Sequence, residues 1–320
     1  MLKEKSTNLD VFFDSTRIDI EKKIISTIKD EQIVRILNGG KRLRSLLSAL
    51  AFKTCTGGKE TQEKYQESLE GAVGIELAHG ASLVHDDIID KNLERRGKAS
   101  FHAEEGIGKA ILTGHKMLIQ GFDIALRHGK DWARLYVDSW NEVVNGEIDE
   151  FDFNKNDKSK KISTKSQMLE AYYKIIDMKT ASLFSSACKA GALGADMTGD
   201  VLEVFGDYGR EIGIAYQLAD DLVDLSNGET IDSVVIPLLN RLNGKTTKVG
   251  VLKKGEIKRK FADNRDKILE IYLEEIRKHV ENAVELGRSN LIPSSNYKDM
   301  LIDAPKHIIN KMLREISVAI

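Results

Sequence analysis

The chain has 320 residues, 41% hydrophobic and 31% charged, with 48 Lys and Arg against 50 Asp and Glu. The resulting net charge of −2 excludes a general nucleic-acid binder, whose footprint is strongly basic. Two cysteines, Cys55 and Cys188, cannot build a disulfide framework. The start carries no apolar core of signal-peptide length, and no run of about 18 apolar residues occurs. A cytoplasmic globular protein without a transmembrane segment is expected.

Only 3 prolines occur, the first at Pro237, where average usage near 5% would give about 16. Proline breaks helix interiors, so its scarcity permits long helices. Apolar residues recur at three and four over Glu21 to Leu37, Arg42 to Phe52 and Glu67 to Asp90. The same spacing continues over Met168 to Leu193, Leu202 to Leu225 and Lys267 to Leu286. Gly39-Gly40, Gly57-Gly58 and Gly97 read as helix ends or loops. The lysine-rich stretch between Phe153 and Ser166 reads as a solvated connector. With no run of alternating strands, the expected fold class is all-α, a single domain over residues 1–320 with a large helical core.

One motif recurs at long range. Asp-Asp-x-x-Asp stands at Asp86, Asp87 and Asp90, and again at Asp220, Asp221 and Asp224. Each copy ends an apolar helical stretch, and the i, i+4 spacing puts the outer two carboxylates on one face. Like charges so placed repel by roughly 0.2–0.5 kcal/mol on an exposed helix. Mg²⁺ makes sense of the pattern, because it takes one or two carboxylates and leaves its other positions to water and phosphate oxygens. Two such clusters point to a metal-bridged diphosphate.

A polyanion also needs fixed positive charge. In Gly39-Gly40-Lys41-Arg42-Leu43-Arg44, Lys41 and Arg44 are expected on one face at a helix start, where backbone amides favour an anion. Arg95 and Arg96 follow the first cluster, and His79 lies two helical turns before Asp86.

These segments, GGKRLR, ELAHGASLVHDDIID, ERRGKASFHAEEGIGKAILTG, Lys179-Thr180-Ala181 and AYQLADDLVD, stand in one order from Gly39 to Asp224. In that order the chain resembles the trans-isoprenyl diphosphate synthases, the farnesyl, geranylgeranyl and polyprenyl diphosphate synthase type. The resemblance implies a helical bundle of the isoprenoid synthase type with a central substrate cavity, working as a homodimer. It implies an enzyme that condenses isopentenyl diphosphate with an allylic diphosphate, with Mg²⁺ as cofactor, about three ions per site. Asp86, Asp90, Asp220 and Asp224 would be the metal ligands, helped by the middle aspartates directly or through water. Lys41, Arg44, His79 and Arg96 would bind isopentenyl diphosphate, and Arg95, Lys179 and Gln217 would face the allylic diphosphate. Thr180 and Gln217 would stabilise the allylic cation.

The chain also departs from the family pattern. Gly114-His115 stands for Gly-Asp, Gly146-Glu147 for Gly-Gln, and Ser45 for a frequent proline. The segment from Ser226 to Pro237 lacks the lysine usual after the second cluster, and Lys245 is the nearest downstream. Two alternatives stay open. A terpene cyclase on the same fold would usually replace the second cluster and would not need Lys41, Arg44 and Arg96. A non-catalytic partner subunit would tend to lose one cluster.

Product length is expected to follow from what precedes Asp86. In short-product members a bulky aromatic four or five residues earlier closes the tunnel, whereas Ser82 and Ala81 are small here. Ala78, Leu77 and Gly74 lie further back, so a product of C20 or longer is expected.

Overall fold

Helices form where apolar residues recur at three and four, and the structure, a computed structural model, is all-α, with one short ribbon among the described residues. It describes residues 8–155, 165–227, 259 and 261–320. The centre of the lysine-rich connector, the segment from 228 to Pro237 and Lys245 lie outside the described residues.

In chain order the helices are α1 (Asn8–Thr27), α2 (Glu31–Leu37), α3 (Leu43–Thr56), α4 (Gln62–Ile89), α5 (Phe101–Glu105), α6 (Ile107–His128) and α7 (Lys130–Lys155). There follow α8 (Lys165–Ile176), a π-turn (Asp177–Ala181), α9 (Ser182–Gly194), α10 (Asp200–Asn227), α11 (Arg265–Arg288) and α12 (Asn296–Leu313). Strands β1 (Glu94–Arg95) and β2 (Lys98–Ala99) pair antiparallel, Arg95 opposite Lys98.

Two of these elements differ from the periodicity reading, and a short ribbon around Gly97, read as a helix end or loop, adds to it. The stretch Glu21 to Leu37 is two helices, because Asp30 caps α2: its Oδ1 accepts from Gln32 N at 2.9 Å and Ile33 N at 3.3 Å. Such a cap satisfies amides that a new helix leaves without partners. Gly97 belongs to a two-residue hairpin turn, with φ +53° at Arg96 and +70° at Gly97, the left-handed pair that a tight hairpin favours. Two-residue strands are too short to alternate visibly. The stretch Met168 to Leu193 is interrupted at Asp177–Ala181 by the π-turn.

The chain divides into two compact units, Met1–Trp140 with Ser186–Gly206 and Asn290–Leu301, and Asn141–Ser185 with Asp207–Ser289 and Ile302–Ile320. The first unit holds α1 to α6 and the ribbon. Its interior includes Leu46, Leu47, Leu50, Phe52, Leu69 and Leu77, all fully buried. Each large apolar side chain so buried contributes about 1.5–3 kcal/mol. Helix α4 lies close against α6, where a Cβ on Gly74 would stand 3.5 Å from Gly121 O. The indole of Trp132 covers Gly71, whose added Cβ would come within 2.3 Å of the ring. In the second unit Phe184, Tyr208, Ile212, Leu222, Ile276 and Ala283 are buried. On α11 the buried positions Ile268, Tyr272, Ile276, His279, Val280 and Ala283 follow three-four spacing and leave its charges outward.

Candidate active site

Helix α4 delivers the first aspartate cluster at its C-terminal end, where the helix dipole opposes negative charge. The three carboxylates divide. Asp87 is buried and accepts two bonds from Arg95, from Nε to Oδ2 and from Nη2 to Oδ1, each 2.8 Å. This bidentate fork is strong and directional. The hairpin turns the chain back after α4 and brings Arg95 to that position. Asp86 is half-buried and Asp90 exposed, one turn apart. The inner aspartate thus aims an arginine, and the outer two share a face.

The basic residues of the first unit gather around His79. Arg44 Nη1 lies 3.0 Å from His79 Nε2. Arginine has no lone pair to offer, so Nε2 accepts and the proton sits on Nδ1. Burial, followed by the charges of Arg44, Arg96, Arg95 and Arg42, holds the His79 pKa well below the usual imidazole range. His79 is therefore neutral at pH 7. Arg96, exposed in the hairpin turn, donates from Nη1 to Asn38 O at 3.0 Å.

Lys41 and Arg44 do not share a helix face as expected. Helix α3 starts only at Leu43, and Arg42 before it is left-handed, with φ +56°. The reason is the side chain of Arg42, which turns inward. It donates to Glu21 Oε1 at 2.7 Å and to Glu76 Oε2 at 2.9 Å, and Arg42 and Glu76 are both buried. Glu76 Oε1 accepts the hydroxyl of Ser45 at 2.6 Å, a bond that a proline at that position could not make. Lys41 is exposed in the turn.

Of the residues tied to product length, Ser82, Ala78, Ala81, Leu77 and Gly74 are all buried. At about 100° per residue, Ser82 and Ala78 fall on the side of Asp86, and Ala81 and Leu77 fall away from it. Gly74 sits against Gly121 and Ile124 of α6. The departure at His115 packs beside His85, the ring centroids 5.4 Å apart and edge to face. Gly114 makes room for the His85 ring, since a Cβ there would lie 2.3 Å from His85 Nε2.

The second unit carries the other cluster on α10. Asp220 and Asp224 are half-buried, one turn apart, and Asp221 between them is buried. Asp221 Oδ1 accepts from Gln217 Nε2 at 2.9 Å, and Oδ2 accepts the hydroxyl of Tyr172. Gln217 Oε1 in turn accepts from Thr180 Oγ1 at 2.8 Å. Again the inner aspartate anchors neighbours and the outer pair shares a face.

Thr180 and Lys179 stand on the π-turn, and two glycines let its backbone be approached closely. A Cβ on Gly146 would lie 2.8 Å from Lys179 N, and one on Gly213 would lie 2.5 Å from Ala181 Cα. Arg210 fastens the turn's first residue, donating to Asp177 Oδ2 at 2.7 Å and to Glu142 Oε2 at 2.8 Å. Lys179 Nζ lies 2.7 Å from Glu150 Oε2 and 3.0 Å from Glu147 Oε1. The substitution at Glu147 thus adds a second carboxylate to the lysine.

Sequence reading missed Arg42, Tyr172, Glu150 and Arg210 as parts of this arrangement. Their partners lie 29 to 68 positions away, apart from the nearer Glu21 and Leu37 of Arg42. For Glu150 alone a local signal existed, its place one turn after the noted Glu147. Among the described residues no three His, Cys, Asp or Glu side chains converge on a metal position. The outer aspartates fit Mg²⁺ by their chemistry, hard oxygen donors in pairs that leave room for water and phosphate.

The chain matches the family described as Polyprenyl synthetase over residues 27–234, and it belongs to that family. It is 29% identical to the geranylfarnesyl diphosphate synthase of Methanosarcina mazei, over 63% of this chain and 65% of that protein. With the octaprenyl diphosphate synthase of Haemophilus influenzae the identity is 29% over 83% of each chain. Over the first three curated relatives the match spans 65%, 57% and 62% of their own lengths. A crystal structure of a geranylgeranyl pyrophosphate synthase has the same fold, with TM-score 0.76, 22% identity, and coverage of 95% of this chain and 99% of that one. Among the described residues no helix is long and apolar enough to cross a membrane.

Proposed function

We propose that this chain is a Mg²⁺-dependent prenyltransferase. It condenses isopentenyl diphosphate with an allylic diphosphate, giving a trans-polyprenyl diphosphate of C20 or longer. The observation that carries this reading is the doubled Asp-Asp-x-x-Asp, in which each inner aspartate is held by a neighbour while the outer two share a helix face.

Asp86 and Asp90 would hold Mg²⁺, and Asp220 and Asp224 would do the same. When bound, Mg²⁺, about three ions in all, supplies charge neutralisation on the departing diphosphate. Arg95, aimed by Asp87, and Lys179 take the allylic diphosphate. Lys41, Arg44, His79 and Arg96 take isopentenyl diphosphate, neutral His79 donating from Nδ1. As the allylic C–O bond breaks, its electron pair leaves with the diphosphate, and the Thr180 and Gln217 dipoles steady the carbocation. The double bond of isopentenyl diphosphate then forms the new C–C bond, and the proton lost goes to the diphosphate. No serine or cysteine nucleophile is needed.

The test is incubation of the chain with Mg²⁺, isopentenyl diphosphate and an allylic primer. Elongated product is expected. A cyclised hydrocarbon would favour the cyclase, and silence the partner subunit. Action as a homodimer in the cytoplasm belongs to the same reading. Exposed Leu112, Ile119 and Leu126, recurring at seven along α6, support self-association. Light scattering after gel filtration should give twice the chain mass.

Two kinetic outcomes follow from the assignment of the basic residues and of the small residues on α4. Lys41→Ala or Arg44→Ala should mainly raise KM for isopentenyl diphosphate, and Arg95→Ala mainly that for the primer. The reverse pattern in steady-state kinetics would defeat the assignment. Ser82→Phe, on the face of Asp86, should shorten the product, as should Ala81→Phe if that position also lines the prenyl chain. Chromatography of the reaction products checks this, and a wild type that stops at C15 would overturn it.

A further inference from the structure

We infer that Tyr172 is a positioning residue for the cation-forming step, acting through Asp221 on the Gln217–Thr180 pair. The inference rests on the proposed prenyl transfer for what the pair faces, but its geometry stands alone. Tyr172 and Asp221 are buried, and a carboxylate can only accept. The side of Gln217 facing Asp221 must therefore be the amide nitrogen, 2.9 Å away, and its oxygen must face Thr180, 2.8 Å away. Every proton in the chain points toward Asp221: from Tyr172 Oη, from Gln217 Nε2 and, through Gln217, from Thr180 Oγ1. Thr180 is left with its hydrogen pinned and its oxygen lone pairs directed away from Gln217.

Such a fixed acceptor suits a developing positive charge, because an oriented dipole needs no reorganisation when the charge appears. Tyr172 donates to Oδ2, on the other carboxylate oxygen from the one that Gln217 holds, and so helps to keep Asp221 in place. Burial, then the charge of Asp221, pushes the Tyr172 phenol well above its usual range, so it remains a donor throughout the working pH. Without it, the phenol's hold on Asp221 Oδ2 is lost, and the carboxylate can turn from its present orientation. The amide of Gln217 then loses its fixed orientation. Arg95 and Lys179, assigned to the allylic diphosphate, keep their own partners, Asp87 and Glu150.

The experiment compares wild type, Tyr172→Phe, Gln217→Leu and the double variant, each with Mg²⁺, in two measurements. Calorimetry reads binding of inorganic diphosphate alone, and of a prenyl-chain tertiary ammonium salt together with diphosphate, as a mimic of the cation. Steady-state kinetics reads kcat and both KM values. For Tyr172→Phe we expect at least tenfold weaker binding of the ammonium salt and a comparable fall in kcat. Diphosphate affinity and both KM values should stay within about twofold. In the Gln217→Leu background, Tyr172→Phe should add little, as expected for residues acting as one unit. Equal losses for ammonium and diphosphate, or full additivity with Gln217→Leu, would overturn the inference in favour of a merely structural tyrosine. Unchanged ammonium binding overturns it too. If the wild type makes no prenyl product while the ammonium difference and its non-additivity persist, the proposed reaction falls and the positioning role stands.

Discussion

Asp86→Ala or Asp220→Ala is expected to lower kcat by orders of magnitude while the helical content stays as it is. Each removes an outer carboxylate from a cluster that would hold the leaving group's metal. Charge stabilisation of that kind is worth several kcal/mol in the transition state, and each ~1.4 kcal/mol is tenfold in rate. Both residues are half-buried, so their loss leaves no large cavity. Asp87 and Asp221 should behave differently, because their buried carboxylates hold Arg95, and Tyr172 with Gln217. Alanine there should disturb folding as well as rate. Chelation with EDTA should abolish turnover, and added Mg²⁺ should restore it. A variant at Asp86 or Asp220 with near-normal kcat and wild-type circular dichroism would refute the metal assignment.

Arg42→Ala should destabilise the protein by about 3–5 kcal/mol, the usual loss when one partner of a buried ion pair is removed. The guanidinium ties together α1 through Glu21 and α4 through Glu76, and also donates to Leu37 O at the end of α2. Its removal strands Glu76, whose other partner among the described residues is the hydroxyl of Ser45. The urea midpoint should fall accordingly. Arg42→Met alone should recover little, since the carboxylate stays buried, but Arg42→Met with Glu76→Gln should recover part of the loss. Equal midpoints for wild type and Arg42→Ala would show that the triad adds nothing to stability. Arg42 sits between Lys41 and Arg44, so sequence proximity makes it look like a third phosphate ligand. Its burial assigns it to the fold.

That contrast marks where a sequence can be read and where it cannot. Helices α10 and α11 are legible because their apolar spacing is local and no proline interrupts it. The aspartate clusters are legible because their chemistry is written within five consecutive residues. Which aspartate of each cluster turns inward is not, since Asp87 depends on a hairpin and Asp221 on Tyr172, 49 positions away. The capping role of Asp30 could have been found from its side-chain type and the helix pattern that follows. The inward turn of Arg42 could not, because Glu76, 34 positions further on, decides it. Likewise Gly146 carries no visible reason for being glycine until the backbone of Lys179 is seen against it.

The π-turn at Asp177–Ala181 has a consequence for how this segment tolerates change in length. Its i→i+5 bonding accommodates one residue more than an α-helical turn would. Helices α8 and α9 are therefore offset by one residue, about 100° of rotation, relative to one continuous α-helix. Deleting any single residue between Asp177 and Ala181 would let the segment heal into a straight α-helix, locally the less strained form. The deletion would then rotate the side chains before it away from their present neighbours, and Lys179 and Thr180 could not both keep Glu150 and Gln217. An indel here thus breaks these contacts even where it improves helix regularity. Aligned relatives that lack the extra residue should show compensating shifts at the positions equivalent to Gly146 and Gly213.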